Sequence, residues 1–277
     1  MNDLTLHSTA KVTLTIAASD SSCGAGVQVD LAVFRDAGVY GVCAITNVTA
    51  QNSRGVRKVS KVAPRIIAAQ IDAATDDLEI DACKIGMLYS PQAVGIVSER
   101  IARRNIANVV LDPVMQAKKG EILLTEPAIK RMKRYLIPKV MLVTPNTGEA
   151  HKLTGIEVND LSGARDAAKA LVDMGAKNAL VKGGHLSGEP VDVLYDGQTF
   201  LEYPSERIEK NMHGTGCVLS AAITARLAIG DDLIAAIDFA KKYVFRAIEQ
   251  SQPLGKGDMQ YYMGEGRKPQ TGAAEHK

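Results

Sequence analysis

Short runs of β-branched and apolar residues alternate along the chain with stretches whose apolar positions recur every three or four residues. The first pattern predicts buried strands, the second helices with one buried face. Strands are predicted over 12–18, 41–48, 82–86, 108–112, 140–144 and 179–182. A helix is predicted after Ser22-Cys23-Gly24-Ala25-Gly26, where Val27, Leu31 and Phe34 share a face. Further helices are predicted over 63–76, with Pro64 suited to the first turn, over 91–103, and over 162–174 with Gly175 as the stop. Asp196-Gly197 between 191–195 and 198–203 is a strong hairpin signal. Two long helices follow, over 215–229 and 232–250. The order predicts an N-terminal extension (1–11), one domain (12–252) and a flexible Gly-rich tail (253–277).

All-apolar strands alternating with helices predict an α/β fold, a mostly parallel central sheet with helices on both faces. In such folds ligands bind beyond the carboxyl ends of the strands. Asp20, Asp112, Asn146 and Lys182 fall at or just after predicted strand ends, so topology predicts that they converge on one edge.

Composition narrows the classes. At 277 residues and 46% hydrophobic, the chain can bury a large single core. Lys and Arg number 33 against 31 Asp and Glu, a balance that gives no sign of nucleic-acid or membrane binding. The absence of Trp removes the strongest stacking platform for single-stranded nucleic acid. Cys23, Cys43, Cys83 and Cys217 form no CxxC pair, and the start of the sequence has no apolar core of a signal peptide. Free thiols and a cytoplasmic location are the resulting expectation.

The most chemistry sits in His213-Gly214-Thr215-Gly216-Cys217, which opens the helix over 215–229. The first turn of a helix carries unpaired N–H groups and about half a unit of positive charge. Two glycines there let a ligand approach the backbone, so the segment reads as an anion cradle suited to phosphate. The same field favours a thiolate at Cys217, which would accept the proton of an attacking hydroxyl. The five residues alone equally fit an ordinary helix start with a small buried cysteine.

Other segments add to it: Ile16-Ala17-Ala18-Ser19-Asp20, residues 24–31, residues 50–56, Lys84-Ile85-Gly86-Met87-Leu88, Asp112-Pro113-Val114-Met115, residues 144–150, and Lys182-Gly183-Gly184-His185. In this order they resemble the motifs of hydroxymethylpyrimidine and phosphomethylpyrimidine kinases, of the ribokinase superfamily. The resemblance implies a ribokinase-like fold and ATP-dependent phosphorylation of 4-amino-5-hydroxymethyl-2-methylpyrimidine, then of its monophosphate, in thiamine biosynthesis. It implies Cys217 as the activating group, whether by removing the proton fully or only by orienting the hydroxyl, Gly214, Thr215 and Gly216 as the anion hole, and Lys182 on the ATP phosphates. Asp30, Gln51, Met87 and Val114 are implied substrate contacts. Asp112, Glu149 and Asn146 are implied to hold hydrated Mg2+. His185 and His213 take positional roles, and a homodimer is implied. Two departures stand out: Cys23 where the family has a glycine-rich run, and Ala18 before Ser19-Asp20 in place of glycine.

Three alternatives compete. A pyridoxal kinase of the same branch would use the same cavity for another flat ring bearing a hydroxymethyl group. A non-catalytic pyrimidine-binding protein would have no use for Cys217, Lys182 and Glu149. A dinucleotide-dependent oxidoreductase fails because Val29 stands at the third glycine of the fingerprint, and no GxxxxGK[ST] loop is present.

Overall fold

In the computed structural model, residues 10–117, 120–184 and 190–262 are described. Among them a single sheet runs in the order β3-β2-β1-β4-β5-β6-β7-β8-β9. Its parallel centre is β1 (Val12–Asp20), β2 (Tyr40–Asn52), β4 (Ala82–Ile85), β5 (Val109–Leu111), β6 (Leu142–Val143) and β7 (Asn178–Val181). Antiparallel strands close both edges: β3 (Gly55–Lys61) on β2, and the hairpin β8 (Val191–Tyr195) and β9 (Phe200–Pro204) beyond β7. The α/β expectation with helices on both faces therefore holds.

The strands alternate sides as a period of two requires. Leu14, Ile16, Cys83, Ile85, Val109, Leu111, Val143, Ala179 and Val181 face one core. That core is covered by α2 (Pro64–Asp77), α3 (Pro91–Arg103), α4 (Glu126–Arg131), α5 (Thr147–Thr154) and α6 (Leu161–Asp173). Ala82, Val110, Leu142, Leu180 and Leu194 face the other, under α1 (Gly26–Asp36), α7 (Thr215–Ile229) and α8 (Leu233–Gln250). Helix α7 packs between α1 and α8, and its residues from Val218 to Ala225 are all buried, with Ala221, Ala222 and Ala225 allowing close approach. This apolar helix is the rigid support of the segment that opens it.

The strand order reverses between β1 and β4, the usual place for a ligand crevice in an open α/β sheet. The β2–β3 hairpin extends past this edge, and β3 was not anticipated because Gly55–Lys61 lacks a buried face. The expectation of a flexible tail from 253 is corrected for 253–262. Met212 bridges Met259, Gln252 bridges Gln260, and Gln260 is buried. Backbone pairing orders this segment, not an apolar pattern. The remainder of the expected tail, most of the N-terminal extension (1–9) and His185 lie outside the described residues.

Candidate active site

A cavity of about 700 Å³ opens at the carboxyl edge of the sheet. Asp20 ends β1, Asp112 follows β5, Asn146 leads into α5 and Lys182 follows β7. All four line this cavity, as the topology requires.

Helix α7 opens into the same space. Its N-cap Gly214 adopts φ +78 and makes no side-chain cap, and no acidic residue occupies the first turn. The N-terminal positive end is thus left to a ligand. Gly214 cannot be replaced without strain, since a Cβ there would lie 2.1 Å from the Gly24 carbonyl oxygen. A Cβ on Gly216 would lie 3.1 Å from Lys182 Nζ and 3.5 Å from Asp112 Oδ2, so the missing side chain leaves room between cradle, cation and carboxylate. Thr215 and Cys217 line the cavity beside it.

Facing the cradle is a charged cluster. Lys182 Nζ donates to Asp112 Oδ1 at 2.9 Å. Burial opposes the Lys182 charge, but Asp112 and Glu149 push its pKa up. Ser220 Oγ, one turn into α7, reaches Asp112 Oδ2 at 3.5 Å. Glu149 and Asn146 form a capping box: Asn146 N–H donates to Glu149 Oε2 at 2.8 Å, and Glu149 N–H to Asn146 Oδ1 at 2.9 Å. Burial pushes the Glu149 carboxyl up to about 7, with Asp112 adding to the rise and Lys182 working against it. Asn146 Oδ1, implied as a metal partner, is engaged in holding Glu149.

Met87 and Val114 supply apolar cavity wall, and Met87 packs with Ala18 and Leu123. Gln51 Nε2 lies 3.2 Å from Asp20 Oδ2 and 2.6 Å from His213 Nε2. Asp20 also accepts from the amides of Ser22, Gly24 and Ala25 and so shapes the loop between β1 and α1. Burial alone would raise the Asp20 pKa, but His213 and the Ser22 amide and hydroxyl bring it below the usual value.

Asp30 requires a correction. It is not on the cavity wall: its side chain is wholly buried in α1, where Lys84 Nζ donates to Oδ1 and Thr15 Oγ1 to Oδ2, each at 2.6 Å. Burial pushes Asp30 towards the neutral form, while Asp30, against the burial of Lys84, pushes the lysine pKa up. The two shifts pull the proton opposite ways. The ion-paired form is the consistent one, because two donors meet the carboxylate. Lys84 reaches the cavity wall, so Asp30 acts behind it.

At Cys217 the helix field that favours a thiolate meets an opposing effect. Burial pushes this thiol up to about 11, and Asp112 and Asp30 add to the rise; Lys84 and the Gly26 N–H work the other way. Dehydration is the largest of these effects, and it favours the neutral thiol.

The sequence profile described as phosphomethylpyrimidine kinase matches residues 20–261. The chain belongs to that family. It is 40% identical to the hydroxymethylpyrimidine/phosphomethylpyrimidine kinase of Bacillus subtilis over 88% of this chain and 91% of that protein. It is 45% identical to the thiamine biosynthesis bifunctional protein ThiED of Geobacter sulfurreducens over 88% of this chain, and that match spans half of the longer relative. Among solved structures, the fold resembles an ADP complex of Bacillus subtilis pyridoxal kinase (TM-score 0.86, 36% identity, 91% of this chain and 97% of that one). It also resembles a phosphomethylpyrimidine kinase of Clostridium difficile (TM-score 0.78, 40% identity, 86% and 99%).

For this phosphomethylpyrimidine kinase family member, the cavity gathers every candidate residue except Asp30. Sequence reasoning missed Lys84, Ser220 and the contact of His213 with Gln51. Lys84 left a signal, a lone cation inside an apolar strand, which a core admits only when paired. Ser220 left none.

Proposed function

We propose that the chain transfers the γ-phosphoryl group of ATP to the hydroxymethyl group of 4-amino-5-hydroxymethyl-2-methylpyrimidine, and then phosphorylates the monophosphate to the diphosphate, in thiamine biosynthesis. The observation that carries this reading is the uncapped first turn of α7 opening into one cavity with Lys182, Asp112 and Glu149 and with Gln51, Met87 and Val114. The relatives named hydroxymethylpyrimidine/phosphomethylpyrimidine kinase support it.

In this reading Gln51, its Nε2 held by Asp20 and His213, reads the aminopyrimidine edge by accepting from the ring amino group at Oε1, and Met87 and Val114 hold the ring faces. The N–H groups of Thr215, Gly216 and Cys217 stabilise charge on the transferring phosphoryl oxygens. Lys182 binds the phosphates as a point charge. A loose transition state draws little charge from the alcohol early, so Cys217 acts as an orienting acceptor for the hydroxyl; as the alcohol oxygen bonds to the γ-phosphorus the bond to ADP breaks, and the hydroxyl proton leaves late, to an oxygen of the transferred phosphoryl group. Asp112 and Glu149 fit Mg2+: both offer oxygen, and Mg2+ needs only one or two carboxylates because it keeps its waters. Among the described residues no cluster of three His, Cys, Asp or Glu exists that would favour a dehydrated site. Bound there, Mg2+ would neutralise phosphate charge, and Asn146 would hold Glu149 in place. A cytoplasmic homodimer completes the proposal, with size-exclusion chromatography and light scattering as its check.

Pyridoxal as an accepted substrate is the second reading, favoured by the match to a pyridoxal kinase along 97% of its length. ATP consumption measured across hydroxymethylpyrimidine, its phosphate, pyridoxal and ribose tests both. The proposal expects the first two to be turned over best. Turnover of pyridoxal alone would replace the first reading by the second, and turnover of ribose alone would sink both.

A further inference from the structure

Residues 252–262 run between the β2–β3 turn and the segment that enters α7. The Asp258 N–H donates to the Ser53 carbonyl at 3.0 Å, the Met259 N–H to the Asn211 carbonyl at 3.0 Å, and the His213 N–H to the Met259 carbonyl at 2.8 Å. Gln252 and Gln260 exchange backbone hydrogen bonds at 3.1 and 2.9 Å, and the Tyr261 and Tyr243 hydroxyls meet at 2.6 Å. The strap is therefore fixed at both ends and passes directly behind His213.

Gln260 is 7% exposed. Its Nε2 donates to the Asp258 carbonyl at 3.1 Å, while its Oε1 is buried with no hydrogen-bond partner among the described residues. A buried acceptor without a donor is costly, and its retention calls for a reason. Its surroundings supply one. A Cβ built on Gly24 would lie 2.3 Å from Gln260 Oε1 and 2.5 Å from His213 Cδ2. The carboxamide and the imidazole thus pack together over the bare face of Gly24. The neighbouring ring atom of the same imidazole, Nε2, meets Gln51 Nε2 at 2.6 Å, and Gln51 is tied to Asp20 at 3.2 Å.

We propose that Gln260 is a positioning residue for substrate recognition: by packing beside the His213 ring over Gly24 it fixes the imidazole that meets Gln51, and so holds the Gln51 carboxamide in the orientation that reads the ring edge. The proposal rests on the pyrimidine kinase reading given above. Holding a recognition group in place before the ligand arrives lowers the ordering cost of binding, so the effect falls on the substrate whose edge Gln51 reads. ATP is held by the α7 amides and Lys182 rather than by Gln51, so its KM serves as the control.

The test measures KM for hydroxymethylpyrimidine and KM for ATP in the native chain, Gln260→Met, His213→Ala and the double variant. Gln260→Met keeps the side chain's length and removes its amide. KM is insensitive to the fraction of active enzyme, so partial misfolding does not imitate the effect. The expected result is a rise of about fivefold or more in pyrimidine KM for Gln260→Met, with ATP KM within about twofold of the native value. The double variant is expected to be no worse than His213→Ala alone, because Gln260 acts through the imidazole. Unchanged pyrimidine KM in Gln260→Met, equal rises in both KM values, or a full additional loss in the double variant would each overturn the inference. If Gln260→Met does not fold, Gln260→Asn, which withdraws the amide by one methylene, reads the same quantities. Absence of pyrimidine turnover in the native chain sinks the functional reading itself, a result distinct from a failure of Gln260 alone.

Discussion

Replacing Glu149 by Gln should stabilise the ligand-free protein at neutral pH and make much less difference at pH 5. The carboxyl is buried beside Asp112, and its pKa stands at about 7 against an ordinary 4.5. A carboxyl whose folded pKa is raised binds its proton more tightly folded than unfolded. Its favourable contribution is fully present below the unfolded value and is lost as pH rises through the folded one. The window therefore runs from about pH 4.5 to 7. A shift from 4.5 to about 7, at roughly 1.4 kcal/mol per unit, corresponds to about 3 kcal/mol lost across that window. Gln keeps an acceptor oxygen for the Asn146 N–H and carries no charge to desolvate. Lys182 retains its bond to Asp112, so the variant leaves no orphaned cation. Urea unfolding of both proteins at pH 5, 6, 7 and 8 isolates the effect of Glu149 and its coupling to Asp112 and Lys182, because titrating groups distant from it cancel in the difference. The variant's advantage should grow by about 2–3 kcal/mol between pH 5 and 8. A flat difference curve, or one that falls with pH, would refute the burial argument.

Gly214→Ala should cost about 1–3 kcal/mol from backbone strain and more from the clash with the Gly24 carbonyl, read as a lowered melting temperature with reduced turnover. Lys84→Met leaves Asp30 charged and unpaired in the core, for a loss of about 3–5 kcal/mol in urea unfolding. Lys84→Met combined with Asp30→Leu should be less destabilised than Lys84→Met alone. Alkylation by iodoacetamide, followed residue by residue with mass spectrometry, should label exposed Cys23 quickly near pH 7.5. Labelling of Cys217 should keep rising towards pH 10, since its thiol lies at about 11. A plateau for Cys217 near pH 8 would mean that the helix field prevails over burial.

What was legible in the sequence follows from what local patterns encode. Helices α3 and α7 span the predicted residues because Pro91 starts one and Gly230 ends the other around clear apolar periodicity. Strand β3 was hidden because Gly55–Lys61 is an edge strand with no buried face. The strap at 252–262 was hidden because its order comes from backbone partners at Ser53, Asn211 and His213, which no local pattern marks. In the site, strand-end polar residues and the glycine cradle were legible, since topology alone directs them to one edge. The partner of Asp30 lies 54 residues away, so only the folded chain shows that its carboxylate turns into the core. The balance of effects on the Cys217 thiol was only partly legible for a related reason. The helix field is local and visible in sequence, whereas the burial that opposes it belongs to the tertiary structure.

The most direct test of phosphoryl transfer at the head of α7 is a paired measurement on Cys217→Ala, namely its dissociation constant for hydroxymethylpyrimidine by calorimetry and its turnover with Mg2+ and ATP. The account predicts binding within a few-fold of the native chain and turnover lower by about 100-fold, the scale of a misplaced reacting group. Turnover near the native rate would contradict it, because the thiol would then have no part in presenting the hydroxyl to the phosphate.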